Sequence, residues 1–566
     1  MEPTQIEYKL GNTKVPPISV VNGVGQGRPE SSLTFNLSID FLIRHISDHL
    51  SGCYEVEDVA KIKILAHAYD IITFASSRKE AIEQAECVVS MLKKIGLDIN
   101  TGKCVSISIA SSENLCSGEM LADNLPIPIQ SDYNVKFRYL GCDISTSEGP
   151  NYNVWSRDIA INVKNLIDFP HLEPWQKIEL IRIFVISQLI YKSQIEADHG
   201  ALKHKAISDL ITTIQQAVRT ILGLQCIPSR HLYGSRPAGL ACPNSQWTVV
   251  TNVLVTLARL KNSNDIVTEA LKKTLTIDIN GKIDDILREL NADKIFENSL
   301  EIGKIHDILN DGKKLKSKRI TEALRAKCIS LWNDTKSGKS AASTLLQQSM
   351  VTKSTMQFAK KLTKSQFTAL LQIRSGCPNL RTRPHVHADS LLCRKCNSAL
   401  ESIGHVLGKC PELHGMIVKR HDSVVEYIFK FLKQHIHADV YMEPHYNVNG
   451  RVLKPDIIYI NRENGKIIII DPTVRIEIDQ ETRMKQINEK RIKYEPLRSH
   501  LADLYGLDIT NIYVCPLWIG SRGTIIKTDI SELIEFVGSI SKFKLEELMD
   551  IVVSWSTTIY NSLLFS

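Results

Sequence analysis

Cys393, Cys396, His405 and Cys410 stand in a C-x2-C-x8-H-x4-C spacing, and no other feature restricts the chain's local conformation so tightly. Thiolates and an imidazole at such intervals let two short loops close a tetrahedral shell on Zn²⁺ at about 2.0–2.3 Å. The two-residue gap folds Cys393 and Cys396 onto one knuckle, and the four-residue gap puts His405 and Cys410 about one helical turn apart. Four protein ligands leave no open position, so the expected role is structural. Cys377, His414 and His421 stand nearby as spare ligands. The thirteen cysteines are odd in number and mostly scattered, which suits a reducing compartment rather than a disulfide framework.

Charge around this cluster is one-sided. The formal net charge is only +7, but no Asp or Glu occurs from Thr335 to Ala388, while Lys336, Lys339, Lys353, Lys360, Lys361, Lys364, Arg374, Arg381 and Arg383 do. Just upstream, KKLKSKRITEALRAK (313–327) holds seven basic residues and one acid. Either run alone reads as a solvated helical face. Together, beside the cysteine cluster, they point to a polyanion, because each neutralised phosphate releases counterions. The opening MEPTQIEYKL is not a signal peptide, and no apolar run approaches the length of a membrane span. The chain is expected to be intracellular, with no membrane partner.

Texture divides the rest. Residues 1–150 mix short apolar strands with helices. Residues 151–290 are mostly helical, with three-to-four apolar spacing in PWQKIELIRIFVISQLIY (174–191) and HKAISDLITTIQQAVRTILGL (204–224). SGKS (337–340) lacks the first glycine of a phosphate-binding loop, since Asn333 stands there, and that reading is rejected.

Two stretches carry candidate chemistry. In KPDIIYINRENGKIIIIDPTVRIEI (454–478), the apolar strands Ile457–Ile460 and Ile467–Ile470 flank a turn containing Asn464-Gly465. Closing that hairpin symmetrically sets Asp456 across from Asp471, on one face because the pleat repeats every two residues. Two converging carboxylates can hold Mg²⁺, which polarises a phosphate and activates water. Glu477 is a further candidate to ligate or to orient a ligand. The following helix offers Lys490 and Tyr494 four apart on one face, with Lys493 beside them, to steady the phosphate. Capping of strand ends by Pro-Asp and Asp-Pro is the bland alternative.

The second stretch is LAHAYDIITFA (65–75): strand, short turn, strand, with Tyr69-Asp70 at the turn. It follows a Gly-rich loop and amphipathic helix (21–46). It precedes a helix end, turn and strand with Lys103 near the strand entry (96–109), then the short strand pair FRYLGCDIS (137–145). This order resembles the palm of reverse transcriptases from type-1 (non-LTR) retrotransposons. That family's G-x-x-Q-G loop is matched by Gly23, Gln26 and Gly27, its F-A-D-D hairpin by His67-Ala68-Tyr69-Asp70, and its Y-L-G turn by Tyr139-Leu140-Gly141. Nucleotidyl transfer on two metal ions about 4 Å apart needs several carboxylates. Tyr69 replaces one of them, and a phenol neither bridges ions nor is charged at pH 7. Arg28 and Glu30 stand where family members place an acid and a leucine. About twenty residues precede the loop, so the strand carrying a third carboxylate is expected to be missing, leaving Asp70 as the remnant of an inactive polymerase site.

Asp456, Asp471, Lys490 and Tyr494 likewise resemble the PD…D…K-x-x-K-Y pattern of the restriction-like endonuclease in site-specific elements of that class. There a zinc knuckle lies N-terminal to the nuclease, with a basic element between, matched by Lys419-Arg420-His421. The resemblance implies an α+β multidomain chain. Its parts are a partial reverse-transcriptase palm (1–150), a helical thumb-like region (151–290), a basic helical linker (291–376), a CCHC zinc knuckle (377–421) and a restriction-like α/β endonuclease domain (422–566). Such Pol polyproteins insert into sites such as ribosomal RNA genes, nicking DNA and priming reverse transcription from the nick on their own RNA. Implied with that are Mg²⁺ at Asp456 and Asp471, structural Zn²⁺, element RNA and target DNA as partners, a nuclear location, and a partner supplying the other half of the polymerase. Nucleic-acid contacts fall to Gly23, Gln26, Gly27, Lys313, Lys314, Lys316, Lys318 and Arg319. Two functional readings compete: a polymerase-dead fragment with a Mg²⁺-dependent DNA-nicking endonuclease, and a non-enzymatic, zinc-dependent nucleic-acid-binding remnant. A decayed chain that barely folds is the third.

Overall fold

A computed structural model describes the chain outside residues 1–3, 7, 8, 11, 12, 15, 21–28, 57–59, 69, 109–117, 123, 131–135, 146–151, 196–203, 225, 275–277, 293–298, 312–315, 352 and 566. Gly23, Gln26, Gly27, Tyr69, Lys313 and Lys314 therefore lie outside the described residues. The chain divides into two compact units. The first takes in residues 1–155, 192–201 and 253–285, and the second residues 156–191, 202–252 and 286–566.

In the first unit, helices α1 (Ser31–His49) and α2 (Arg78–Lys94) bury Leu42, Ile46, Val88 and Leu92 together with Ile64. Ile64 opens the antiparallel hairpin of β1 (Ile64–His67) and β2 (Asp70–Thr73), in which His67 faces Asp70. The Ser77 hydroxyl caps α2 by accepting the Glu80 N–H, which sets where the chain leaves the hairpin. From α2, the buried Gln84 carboxamide donates to the carbonyls of Ser51 and Phe74. Strands β3 (Gly118–Ala122) and β4 (Leu125–Gln130) pair antiparallel. So do β5 (Lys136–Tyr139) and β6 (Cys142–Ser145), around a two-residue turn with positive φ at Leu140 (48°) and Gly141 (75°), the geometry that matches strand twist.

In the second unit, α3 (Lys205–Leu222) buries the stripe Ile207, Leu210, Ile214, Ala217, Val218 and Ile221, and Gly223 ends it in the left-handed region. Helix α4 (Ser229–Tyr233) meets α5 (Lys316–Asn333) through His231, whose ring lies 4.7 Å from that of Trp332. Helices α6 (Lys364–Ser375), α7 (Ile403–Gly408) and α8 (His414–Leu432) lead into a four-stranded sheet. Its strands are β7 (Ala438–Met442), β8 (Ile457–Asn461), β9 (Ile467–Arg475) and β10 (Ile512–Gly520), in that spatial order. The first two pairings are antiparallel and β9–β10 is parallel, so β9 and β10 need a crossover, supplied by α9 (Gln480–Tyr505). Helices α10 (Lys527–Val537) and α11 (Lys542–Leu564) complete the unit.

The four isoleucines opening β9 are wholly buried because both faces of the sheet are covered. Ile468 and Ile470 join the core with α8 and α11, whereas Ile467 and Ile469 pack with Tyr494, Leu497 and Leu501 of α9. The β8–β9 loop is longer than a two-residue Asn-Gly turn. It runs from Arg462 to Lys466, held by Asn461 Oδ1, which accepts from the Glu463 N–H at 2.9 Å.

No break in packing falls at residue 421 or 422. Helix α8 runs through that point. One core unites Val351, Phe358 and Leu370 with the sheet, and another unites α6 and α11 with Cys393 and Cys410. The acid-free run is accordingly not one open basic surface. Lys353 and Lys361 both pair with Asp550 of α11, and Arg374 is buried. Acids distant in sequence neutralise part of it, whereas Lys336, Lys339 and Lys364 remain exposed.

Both nitrogens of the fully buried His231 lack a hydrogen-bond partner among the described residues. Burial pushes its imidazole down to about 3, and the Arg374 guanidinium adds to the shift. Unfolded, the same ring takes a proton near pH 6.5. Its contribution is therefore intact above about pH 6.5 and is lost towards pH 3, at about 1.4 kcal/mol per pH unit. Melting temperature measured against pH should fall across this window in the wild type, and fall less steeply in His231→Leu.

Candidate functional site

The four metal-ligand candidates converge. The ligand atoms of Cys393, Cys396, His405 and Cys410 all lie within 4.8 Å of one another. Sγ of Cys393 and Cys410 are 3.9 Å apart, and Cys396 Sγ is 3.3 Å from His405 Nε2. A tetrahedron with bonds of 2.0–2.3 Å has edges of about 3.3–3.8 Å, so the donor set fits zinc. The Cys410 N–H donates to the His405 carbonyl at 2.8 Å, closing the turn that brings these two together. Donors on Ser398 pull the half-buried Cys396 thiol down to about 6, while burial pushes Cys410 up to about 11. Among the described residues the group contains none of Cys377, His414 or His421. The knuckle's own arginine is spent internally: Arg394 forms a salt bridge at 2.6 Å with buried Glu401, which also accepts from the Arg381 N–H.

At the other candidate centre, β8 and β9 pair with Ile457 opposite Ile470, so the next positions outward are Asp456 and Asp471. Beyond them β9 continues to Arg475 in register with β10 alone, and the two carboxylates lie where β8 leaves the sheet. Asp471 is 1% exposed, and its Oδ1 accepts from Lys490 Nζ at 2.7 Å. Asp456 Oδ2 is buried with no aligned hydrogen bond; the nearest partner is His421 Nε2, 3.4 Å away. Asp456 raises the His421 imidazole above its ordinary value, burial opposes this, and Asp471 and Asp422 add to it. His421, near the zinc ligands in sequence, thus faces the aspartates instead. In the sequence it stood out as a spare ligand of the knuckle and by its place beside Lys419 and Arg420. The buried Arg420 fixes that turn of α8 by donating to the Leu407 carbonyl and the Ser556 hydroxyl.

Tyr494 donates to the Lys454 carbonyl at 3.1 Å, two residues before Asp456. Lys493 Nζ donates to the Tyr494 oxygen at 2.8 Å and sits 4.5 Å from the ring centroid. Burial, then the Asp471 charge, pushes the phenol well above its ordinary range. A neutral tyrosine therefore ties α9 to the segment entering β8.

Glu477 does not join this group. It is 1% exposed, its Oε1 accepts from the Arg522 N–H at 2.9 Å, and Arg522 Nη1 is 3.5 Å from Oε2. Arg374 and Arg420 also feel its charge. A Cβ at Gly520 would collide with Glu477 Oε1, so glycine lets the carboxylate in. Of the basic residues on α5, Lys316 donates to the Leu309 carbonyl, Lys318 is 4.0 Å from Glu322, and Arg319 pairs with Asp311. In the first unit, exposed Asp70 lies close enough to Tyr139 for its charge to add to burial in raising that phenol. The hairpin and the Tyr139-Leu140-Gly141 turn are brought together.

Residues 6–144, which contain that hairpin and turn, match the family described as reverse transcriptase (RNA-dependent DNA polymerase). This part of the chain is therefore similar to reverse transcriptases. More particularly, the chain is related to the Pol polyproteins of R2 retrotransposable elements. It is 22% identical over 533 residues to one from type-1 element R2 of Popillia japonica, covering 91% of this chain and 79% of that protein. It is 23% identical to one from type-2 element R2DM of Drosophila melanogaster, covering 79% of this chain and 40% of that protein. It is 24% identical to one from type-1 element R2 of Nasonia vitripennis, covering 80% and 40%. A second Popillia japonica relative is spanned over 61% of its length. Matches of this length run well past residue 144. Among the described residues no helix is long and apolar enough to cross a membrane.

Purified protein should carry one zinc per chain by elemental analysis. Chelation or Cys393→Ser should lower the melting temperature, because the two thiols of Cys393 and Cys410 belong to the core. Glu477→Ala should cost about 3–5 kcal/mol of stability by leaving buried guanidinium charge uncompensated, which denaturant unfolding would read.

Proposed function

We propose that this chain is a Pol polyprotein segment of an R2-type element in which a Mg²⁺-dependent DNA endonuclease, centred on Asp456, Asp471 and Lys490, is functional, while the polymerase hairpin is not. The observation that carries the reading is the placement of two carboxylates just outside the last paired residues of β8 and β9, with a lysine on one and a buried oxygen that makes no aligned hydrogen bond on the other. Apart from His421 Nε2 at 3.4 Å, which is not aligned for a hydrogen bond, that oxygen has no partner among the described residues, and a divalent cation would offset the cost of burying its charge.

Asp456 and Asp471 would hold the divalent ion, which when bound polarises a phosphodiester and supplies hydroxide near neutral pH. The chain's own groups do the rest. Lys490 has three donors; one is anchored on Asp471 and the others are available to a phosphate oxygen as charge builds on it. His421 steadies Asp456, and Tyr494 with Lys493 keeps this turn of α9 at a set distance from the start of β8. Exposed Lys336, Lys339 and Lys364 contribute backbone attraction, so binding weakens with salt. Zinc in the knuckle is structural, and the site of action is nuclear DNA.

The polymerase reading fails on charge. With Tyr69 at the hairpin only Asp70 remains of the pair that family members carry there, and two cations need more carboxylate than that. The test is relaxation of supercoiled plasmid by purified protein with Mg²⁺, beside Asp456→Ala and Asp471→Ala. Wild-type nicking reduced by about 10²-fold or more in both variants is the expected result. Salt-sensitive DNA binding without nicking would leave a non-enzymatic binding module and sink the endonuclease reading.

A further inference from the structure

Trp518 of β10 is 1% exposed, and its indole N–H donates to Gln486 Oε1 at 2.9 Å. An indole nitrogen can only donate, so this bond settles the orientation of the carboxamide: its oxygen faces Trp518 and its NH₂ points away. No acceptor among the described residues takes that NH₂.

Gln486, Lys490 and Tyr494 recur every four residues, so they form one stripe of α9. Lys490 bonds Asp471, and Tyr494 feels its charge. In the parallel register Asp471 partners Pro516, and Thr473 partners Trp518. Trp518 and Thr473 therefore lie on the same face of the sheet as Asp471, two residues further along. On the β8 side, β9 is unpaired from Asp471 onward. The half-buried Gln486 thus lies on the same stripe of α9 as Lys490, one helical turn further from Tyr494.

We infer that Gln486 is a substrate-binding residue of this site, its NH₂ donating to a non-bridging phosphate oxygen of bound DNA next to the phosphate engaged by Lys490. The inference rests on the endonuclease reading above. A neutral donor suits the position: it holds a phosphate without competing, as a second lysine would, for the carboxylates that bind the cation.

The test compares Gln486→Glu with Gln486→Ala. The glutamate keeps an oxygen for Trp518 but replaces the donor with an anion that repels phosphate; the alanine removes both. Readouts are the melting temperature, the Kd for a labelled DNA duplex at fixed salt, and plasmid nicking with Mg²⁺. Gln486→Glu is expected to melt with the wild type yet to bind and nick about tenfold or more weakly, the loss that goes with one hydrogen bond to a charged oxygen, with the effect on KM rather than kcat. If Gln486→Glu binds and nicks as the wild type does while Gln486→Ala only melts earlier, Gln486 serves Trp518 alone and the inference falls. Wild-type nicking that Asp471→Ala abolishes and Gln486→Glu leaves intact would overturn this inference but not the endonuclease. A wild type that does not nick would overturn both.

Discussion

Glu477 is a single carboxylate buried with the guanidinium of Arg522, and the second unit is arranged around it. Arg522 returns bonds to the carbonyls of Ser340, Ile373 and Glu477 itself, and Arg374 reaches the Arg522 carbonyl and the Thr355 hydroxyl. Three stretches far apart in sequence thus meet at one charge: the region before the knuckle, the end of β9 and the end of β10. Burial pushes Arg374 down to about 10, and the Glu477 charge is what opposes it. A charge taken so far from water persists only with its partners in place. The knuckle and the strands bearing Asp456 and Asp471 consequently share one framework rather than being strung on linkers.

That framework explains how the two aspartates are presented. Strand β9 is held to β10 along its whole length, while β8 departs after Ile457. Past the divergence, Asp456 and Asp471 are turned to one face by the pleat. Helix α9, as the crossover, must lie on that face, and it delivers Lys490 and Tyr494 there. Its entry is clamped by the buried pair Arg483–Asp529 and its middle by Arg491–Glu532. The polymerase hairpin offers a contrast. Its strands, its register and its neighbour Tyr139 are present, with Asp70 beside a tyrosine rather than beside a second aspartate.

Much of this could be seen in the sequence where periodicity or spacing is strict. The β8–β9 pairing followed from two apolar runs and a turn, and the zinc donor set followed from intervals that leave few ways to close a shell. Other features depended on residues hundreds of positions away. Nothing local to Lys353 or Lys361 announces Asp550, and nothing in the IEI of residues 476–478 announces Arg522. Glu477 looked available as a ligand because it follows a strand bearing Asp471. His421 looked closer to the knuckle than to Asp456 because sequence distance, not the course of α8, was all there was to judge by.

By itself the sequence determined the residue types and their local repeat: the donors of the knuckle, the alternating isoleucines, the lysine and tyrosine four apart, and Tyr69 in place of an aspartate. Those are set by covalent order and by the periods of strand and helix, which hold whatever the surroundings. The tertiary structure decided which charges are paired, and with which partners. Lys490 on Asp471, Glu477 in its arginine cluster, and His421 beside Asp456 are outcomes of which distant segments are packed together. Electrostatic partnership depends on distance in space and on burial, and neither is carried by position along the chain.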